Sequence, residues 1–159
     1  MLPTLRLSPK HQVTIPAEGR VLLAGEDGTL CGRAHAMPRL PESDGDEPVF
    51  PVVLLMSRKE LSRREKAIRD DVALGPVQRE ALAMKLRAMV EELSLDSQGR
   101  VVLPQVFVDH LGLTNEVFFV VMNDSIRVWN PQHYLRWSGA SRKPAALAYD
   151  SALDGYLFA

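Results

Sequence analysis

The feature that most constrains this chain is a repeat. The segment from Leu7 to Pro16 (LSPKHQVTIP) lies over the segment from Leu95 to Pro104 (LDSQGRVVLP) at a constant offset of 88 residues. Extended to 7–24 against 95–112, identities fall only at Leu7, Val13, Pro16 and Leu23. The order of local signals carries more weight than those identities. Each half reads as strand, polar turn, strand, proline and short helix, then a β-hairpin and a capped helix. Pairing Leu54-Leu55 with Val128-Trp129 gives an offset of 74, and the difference of 14 matches the size of a Pro- and acid-rich stretch in the first half, Pro38 to Pro51.

Local chemistry fills in the elements. Leu5, Leu7, Val13 and Ile15 alternate with polar residues around the turn-like tetrad Ser8, Pro9, Lys10 and His11. Pro16 ends that run, and a short helix is expected over 17–23, weakened by Gly19. A turn at 25–28 and a strand over 29–37 follow. The stretch 38–51, with four prolines and little to bury, reads as a solvated loop. Val52 to Met56 then reads as an apolar strand. Ser57 and Glu60 have capping-box spacing, so a helix is expected from Arg58 to about Ala73, broken at Gly75-Pro76. Pro76 suits the first turn of a second helix running to about Leu93, with an apolar stripe of Leu82, Leu86, Met89, Val90 and Leu93.

Beyond Leu95 the pattern returns to strand at Val101 and Leu103. A short helix is expected from Pro104 to Leu111, closed by Gly112 as a left-handed cap. A strand over 117–122, a turn at Asn123-Asp124 and a return strand with Ile126, Val128 and Trp129 follow. Asn130-Pro131 begins a last helix carrying Tyr134 and Trp137. The expected organisation is a first repeat over 1–57 with its loop 38–51, a helical hairpin over 58–93, a second repeat over 94–137, and a loosely held tail over 138–159.

Composition excludes several function classes. The 159 residues fit one domain, and 46% hydrophobic with 25% charged residues gives material for a core. Nineteen basic against twenty acidic residues give a net charge of −1, so nucleic acid can be bound only through a local patch. The single Cys31 supports neither an intramolecular disulfide nor a Cys-rich zinc site, which fits a reducing compartment. The start MLPTLRLSPK lacks the apolar core of a secretory signal, and no apolar run reaches the ~18 residues of a membrane helix. The expectation is a cytoplasmic protein with no membrane contact.

No catalytic constellation stands out. His11, His35, His110 and His133 lack i,i+3 or i,i+4 pairing and cysteine partners, so no metal site is expected. The glycines form no phosphate-binding loop, the serines sit in no G-x-S-x-G elbow, and no cofactor or enzymatic activity is expected. Adjacent Glu91 and Glu92 leave different sides of a helix and make no acid pair. The basic run Arg58, Lys59, Arg63, Arg64, Lys66 and Arg69 is interleaved with Glu60, Glu65, Asp70 and Asp71; the i,i+4 pairs Glu60–Arg64 and Glu65–Arg69 make it a salt-bridged solvent face. Trp129 and Trp137 read as core anchors.

The repeat also carries a resemblance. Asp96-Ser-Gln-Gly-Arg100 followed by Val-Val-Leu-Pro104 resembles the D-x-x-G-R-(apolar)-x-(apolar)-P signature of the MraZ family, within the AbrB/MazE-like swapped-hairpin class. His110-Leu-Gly-Leu-Thr114, Glu116-Val117 and Val128-Trp129 continue it, and Ser8 to Pro16 resembles the S-x-K-G-Q-V-T-I-P form of AbrB-like modules. The resemblance covers about residues 5–137. It implies an α+β, β-barrel-centred fold: a two-repeat swapped-hairpin barrel with a helical hairpin between the repeats. It also implies a homo-oligomer, a ring in this family, that reads repeated promoter elements in double-stranded DNA.

The motif has a physical logic. Gly99 lets the turn adopt positive φ, and Asp96 hydrogen-bonds the amides two residues on. Arg100 then leaves the start of a rigid strand, where its guanidinium can reach phosphate or a guanine edge. The candidate DNA-contacting residues are Arg100, Gln98, Lys10, Gln12, Arg6 and His11, with Asp96 and Gly99 shaping the turn. In the first half Ser8, His11 and Gln12 stand where the family has Asp, Gly and Arg. One arginine is lost, and the β-carbon at position 11 is expected to change the turn. The family also tends to have glycine near Val121 and an acid near Arg127. The two halves are therefore expected to be unequal, the second making the principal contact.

The function expected is a sequence-specific transcriptional regulator of double-stranded DNA, repressing as an oligomer on short repeated promoter elements and associated with the nucleoid. One bidentate Arg–guanine pair discriminates by ~1–3 kcal/mol, so several subunits must act together through avidity. Two other readings compete. An antitoxin-like module would grip a protein partner through the tail from Asp150 to Phe158, but the doubled hairpin and short tail argue against it. A scaffold that kept the barrel and lost DNA binding is suggested by the altered first motif.

Overall fold

The extended runs beside each polar turn form strands, and those strands pair across the two halves rather than within them. The computed structural model describes residues 2–23, 27–40, 49–139 and 152–157. Its elements are β1 (Leu5–Arg6), β2 (Gln12–Thr14), α1 (Ala17–Leu23), β3 (Thr29–Pro38), β4 (Val49–Met56), α2 (Arg58–Arg69), α3 (Pro76–Ala88), β5 (Val90–Ser94), β6 (Arg100–Val102), α4 (Gln105–Leu111), β7 (Glu116–Val121), β8 (Ile126–Trp129) and α5 (Pro131–Gly139).

The antiparallel pairings follow the repeat. First-half β1 pairs with second-half β7, and second-half β5 pairs with first-half β3. The hairpins β3–β4 and β7–β8 meet where β4 pairs with β8. The resulting six-stranded order, β1-β7-β8-β4-β3-β5, reads the same from either end once repeat-equivalent strands are exchanged. The separate β2–β6 ladder is centred on Val13 opposite Val101, a pair related by the 88-residue offset. This is an α+β fold with a curled antiparallel sheet, of the swapped-hairpin barrel type.

Packing draws on both halves. Leu7, Val13, Ile15 and Leu23 share one core cluster with Val101, Leu103, Phe107, Leu111 and Leu93, and Leu95 packs on its edge. Helices α1 and α4 are the same length and lie at the repeat offset. A β-carbon at Gly19 would lie 2.5 Å from Ile126 Cδ1. The residue that weakens α1 as an isolated helix therefore lets it sit closely on β8. A second cluster joins Phe50, Phe118 and Trp129 with Tyr134 and Trp137, the two tryptophan rings 5.2 Å apart. Trp137 Nε1 donates to Pro38 O at 3.1 Å, so the aromatic helix α5 is tied to β3. Asn130 caps α5, accepting from Gln132 N at 2.9 Å, while its amide donates to Leu111 O and Gly112 O at the end of α4. Gly112 takes the expected left-handed conformation, φ 64°.

Three expectations need correction. The helix from Arg58 ends at Arg69 rather than about Ala73. The following helix ends at Ala88 rather than about Leu93, so the helical hairpin is α2–α3 and Glu91 and Glu92 stand on a strand. Main-chain pairing decides this: β5 lies along Thr29–Arg33, with Leu93 opposite Leu30 and both buried. A tertiary ladder of this kind outweighs helix propensity. The proposed helical stripe dissolves accordingly. Leu82 and Met89 are exposed, whereas Leu86 and Val90 pack on Cys31, Leu54, Met56 and Leu61.

The charged face of α2 forms as its spacing predicts, with Glu60–Arg64 at 2.8 Å and Glu65–Arg69 at 3.3 Å. The paired guanidiniums of Arg63 and Arg64 hold the Glu60 carboxyl down at about 2. Of the expected loop 38–51, residues 41–48 lie outside the described residues, and 49–51 belong to β4. Of the expected tail, 138–139 belong to α5, 152–157 are helical, and the rest lies outside the described residues.

Candidate nucleic-acid interface

Two turns lead into the β2–β6 ladder, and they share one hydrogen-bond pattern. In the second, Gly99 N donates to Asp96 O at 3.0 Å and Asp96 N to Arg100 O at 2.9 Å. In the first, His11 N donates to Ser8 O and Ser8 N to Gln12 O, both at 2.9 Å. The side chains that brace them also correspond. Asp96 Oδ1 accepts from Gln98 N at 2.9 Å and Arg100 N at 2.8 Å. Ser8 Oγ accepts from Lys10 N at 3.3 Å and Gln12 N at 2.9 Å. Each turn then bonds the other repeat: Gly99 O accepts from Ile15 N, and His11 O from Leu103 N, both at 2.8 Å.

Gly99 takes φ 76°, as the motif requires, and His11 takes φ 64°. The expectation that a β-carbon at position 11 changes the turn is thus corrected. His11 accepts the left-handed conformation because bonds from both repeats hold it there.

The chemistry of the two turns differs where the geometry does not. Asp96 Oδ2 accepts from Arg100 Nε at 2.8 Å, so the arginine is oriented by the acid that builds its turn. Bonds from the Arg100 and Gln98 amides and the guanidinium hold the Asp96 carboxyl below the usual carboxylate range. In the first turn Ser8 supplies no charge, and Lys10 is an exposed cation. Burial alternates along both strands: Val13 and Val101 point inward, while Gln12, Thr14, Arg100 and Val102 share the outer face. The register sets Gln12 opposite Val102 and Thr14 opposite Arg100.

The candidate residues therefore divide. Arg100, Gln12, Lys10, His11 and Gln98 come together on the ladder and its two turns, and Asp96 and Gly99 shape the second turn. Arg6 does not join the ladder; it stands exposed on β1 opposite Glu116 in the larger sheet. Three residues were missed. Thr14 and Val102 follow from strand alternation about Val13 and Val101, a signal present in the sequence. Arg20 had no such signal. It crosses from α1 to the second turn, where its Nε donates to Ile15 O at 2.8 Å and its Cζ lies 2.5 Å from where a Gly99 β-carbon would be. Its repeat equivalent in α4 is Val108, so this cation too belongs to one turn only. Among the described residues no group of three or more His, Cys, Asp or Glu is placed to hold a metal, and no helix is long and apolar enough to cross a membrane.

The chain is 33% identical over 132 residues to the transcriptional regulator MraZ of Xanthobacter autotrophicus, an alignment spanning 81% of this chain and 74% of that protein. The chain belongs to the MraZ family. The MraZ of Azorhizobium caulinodans is 32% identical over 133 residues, covering 82% of this chain and 76% of its own. That of Corynebacterium urealyticum is 27% identical over 156 residues, covering 97% and 96%. A family model described as "MraZ protein, putative antitoxin-like" matches residues 88–148, the half that keeps the full D-x-x-G-R motif. These MraZ relatives are named transcriptional regulators, not enzymes.

Proposed function

We propose that this chain is a transcriptional regulator that binds double-stranded promoter DNA with the outer face of its β2–β6 ladder, and that it represses by covering repeated elements as a homo-oligomer. The observation that carries this reading is the outer face of the ladder, where Arg100, oriented by Asp96, shares a surface with Gln12 and lies between two turns of one shape, the first of which carries the exposed cation Lys10.

The division of labour follows from the side chains. Asp96 holds Arg100 by Nε, which suits the two Nη nitrogens to a bidentate contact with guanine O6 and N7. Lys10 supplies a point charge for a phosphate, and Arg20 a second cation beside the Gly99 turn. One face of this size makes few base contacts, so several subunits on repeated elements supply the selectivity, and the protein works at the nucleoid.

The test is fluorescence-anisotropy binding to the DNA upstream of the gene that encodes the chain, against a scrambled duplex. The expected result is selective binding that weakens by more than tenfold when all but one of the repeated elements are removed. Equal affinity for both duplexes, from a folded sample, would contradict the proposal.

A further inference from the structure

The outer face of the ladder holds one residue that neither phosphate binding nor packing explains. Val102 is 54% exposed, between Val101 and Leu103, which are each 1% exposed. Its repeat equivalent is Thr14, also exposed, so the fold does not demand an apolar side chain at this place. It lines an open cleft of about 350 Å³ with Ser8, Pro9, Lys10 and Gln12. Gln12 stands directly opposite it in the ladder, as Thr14 stands opposite Arg100. Directly opposed side chains have β-carbons ~4.5–5.5 Å apart, so each pair acts as a unit.

We infer that Gln12 and Val102 together read an A·T base pair, beside the guanine read by Arg100. This rests on the DNA-binding reading above and specifies its ligand. The chemistry of the pair selects the base pair. A glutamine amide donates to adenine N7 and accepts from its N6 amino group, and an apolar side chain packs on the thymine 5-methyl, a group that only thymine presents in the major groove. A valine gains nothing from a phosphate or from the amino edge of cytosine. The opposite end of the face is different: Arg100 and Thr14 offer a cation and a hydroxyl. The two pairs are two rungs apart, ~7 Å along the strands at ~3.4 Å per residue. With the ladder lying along the groove, that spacing places the A·T pair about two base pairs from the guanine. A face built from two copies of one unit therefore reads an unsymmetrical element.

Base analogues test this directly. In the upstream duplex each thymine is replaced in turn by uracil, each adenine by 7-deazaadenine and each guanine by 7-deazaguanine. One thymine about two base pairs from an Arg100-dependent guanine should lose about fourfold in affinity on replacement by uracil, the worth of one buried methyl. Its adenine partner should show a loss on removal of N7. Val102→Ala should abolish the uracil effect while keeping the 7-deazaguanine effect, which shows the variant folded and bound. Gln12→Arg should convert the preference at that position from A·T to G·C. Tolerance of every uracil and 7-deazaadenine replacement, with the guanine effect intact, would overturn the inference and leave the DNA-binding reading standing. Absence of any discrimination by the wild-type protein would remove that reading, and the inference with it.

Discussion

The turns at Ser8–His11 and Asp96–Gly99 make the same five kinds of hydrogen bond with different residues. The second is built at low strain: a glycine at the left-handed position, and a carboxylate that braces two amides and orients Arg100. The first reaches the same shape with a hydroxyl and a histidine, and it orients no arginine. The comparison shows that ladder pairing, not turn composition, fixes the shape of each loop. Composition then decides what the loop presents. A duplicated unit can keep its geometry while its chemistry diverges, which is how one face comes to carry Arg100 and Thr14 at one end and Lys10, Gln12 and Val102 at the other.

The two turns differ most in stability at their left-handed positions. Gly99→Ala adds ~1–2 kcal/mol of backbone strain and displaces Arg20 from its bond to Ile15 O, worth a further ~1 kcal/mol. A loss of about 2–3 kcal/mol is expected in urea unfolding. His11→Gly removes the same ~1–2 kcal/mol of strain and adds an entropic cost of about 0.5–1 kcal/mol, so it should leave stability unchanged or raise it by up to about 1.5 kcal/mol. A loss of stability at His11→Gly as large as that at Gly99→Ala would show that the first turn is not held in strain.

A smaller effect separates the two bracing side chains. Asp96→Ala removes three accepted bonds and Ser8→Ala two, one of them long, so melting temperature should fall more for Asp96. Acid sharpens the contrast. The Asp96 carboxyl is held below its ordinary value of ~3.9, so its contribution is complete above that pH and fades as pH falls through its lowered pKa. The Gln98 and Arg100 amide resonances should shift in that acid range. Those of Lys10 and Gln12, braced by a hydroxyl that does not titrate, should not follow them.

Much of this was legible in the sequence because its signals are local. Pro16 and Pro104 end the ladder strands, Ser57 caps α2 with Oγ accepting from Glu60 N at 3.0 Å, and Gly112 closes α4. The repeat itself was the better guide where local signals conflicted. Val90-Glu-Glu-Leu93 has a helical period, but the 88-residue offset lays Leu93 on Leu5, and Leu5 is in a strand. Pairing with β3, more than fifty residues away in the chain, decided the matter. Arg20 was illegible for a related reason: its place over Gly99 exists only after the hairpins exchange. The tether of Arg100 to Asp96 lay in view as an i,i+4 spacing, but a turn rather than a helix closes it.

On the proposed mode of binding, Arg100 reads the DNA sequence and Lys10 anchors its backbone. Salt-dependent anisotropy on the upstream and scrambled duplexes, with wild type, Arg100→Ala and Lys10→Ala compared, tests it most directly. Arg100→Ala should cut the difference between the two duplexes by about tenfold or more, the worth of one bidentate arginine–guanine pair, while the protein stays folded. Lys10→Ala should keep that difference, weaken binding to both, and reduce the slope of log K against log salt by ~0.9 for the lost phosphate contact. An Arg100→Ala protein that discriminates between the duplexes as wild type does would contradict the account.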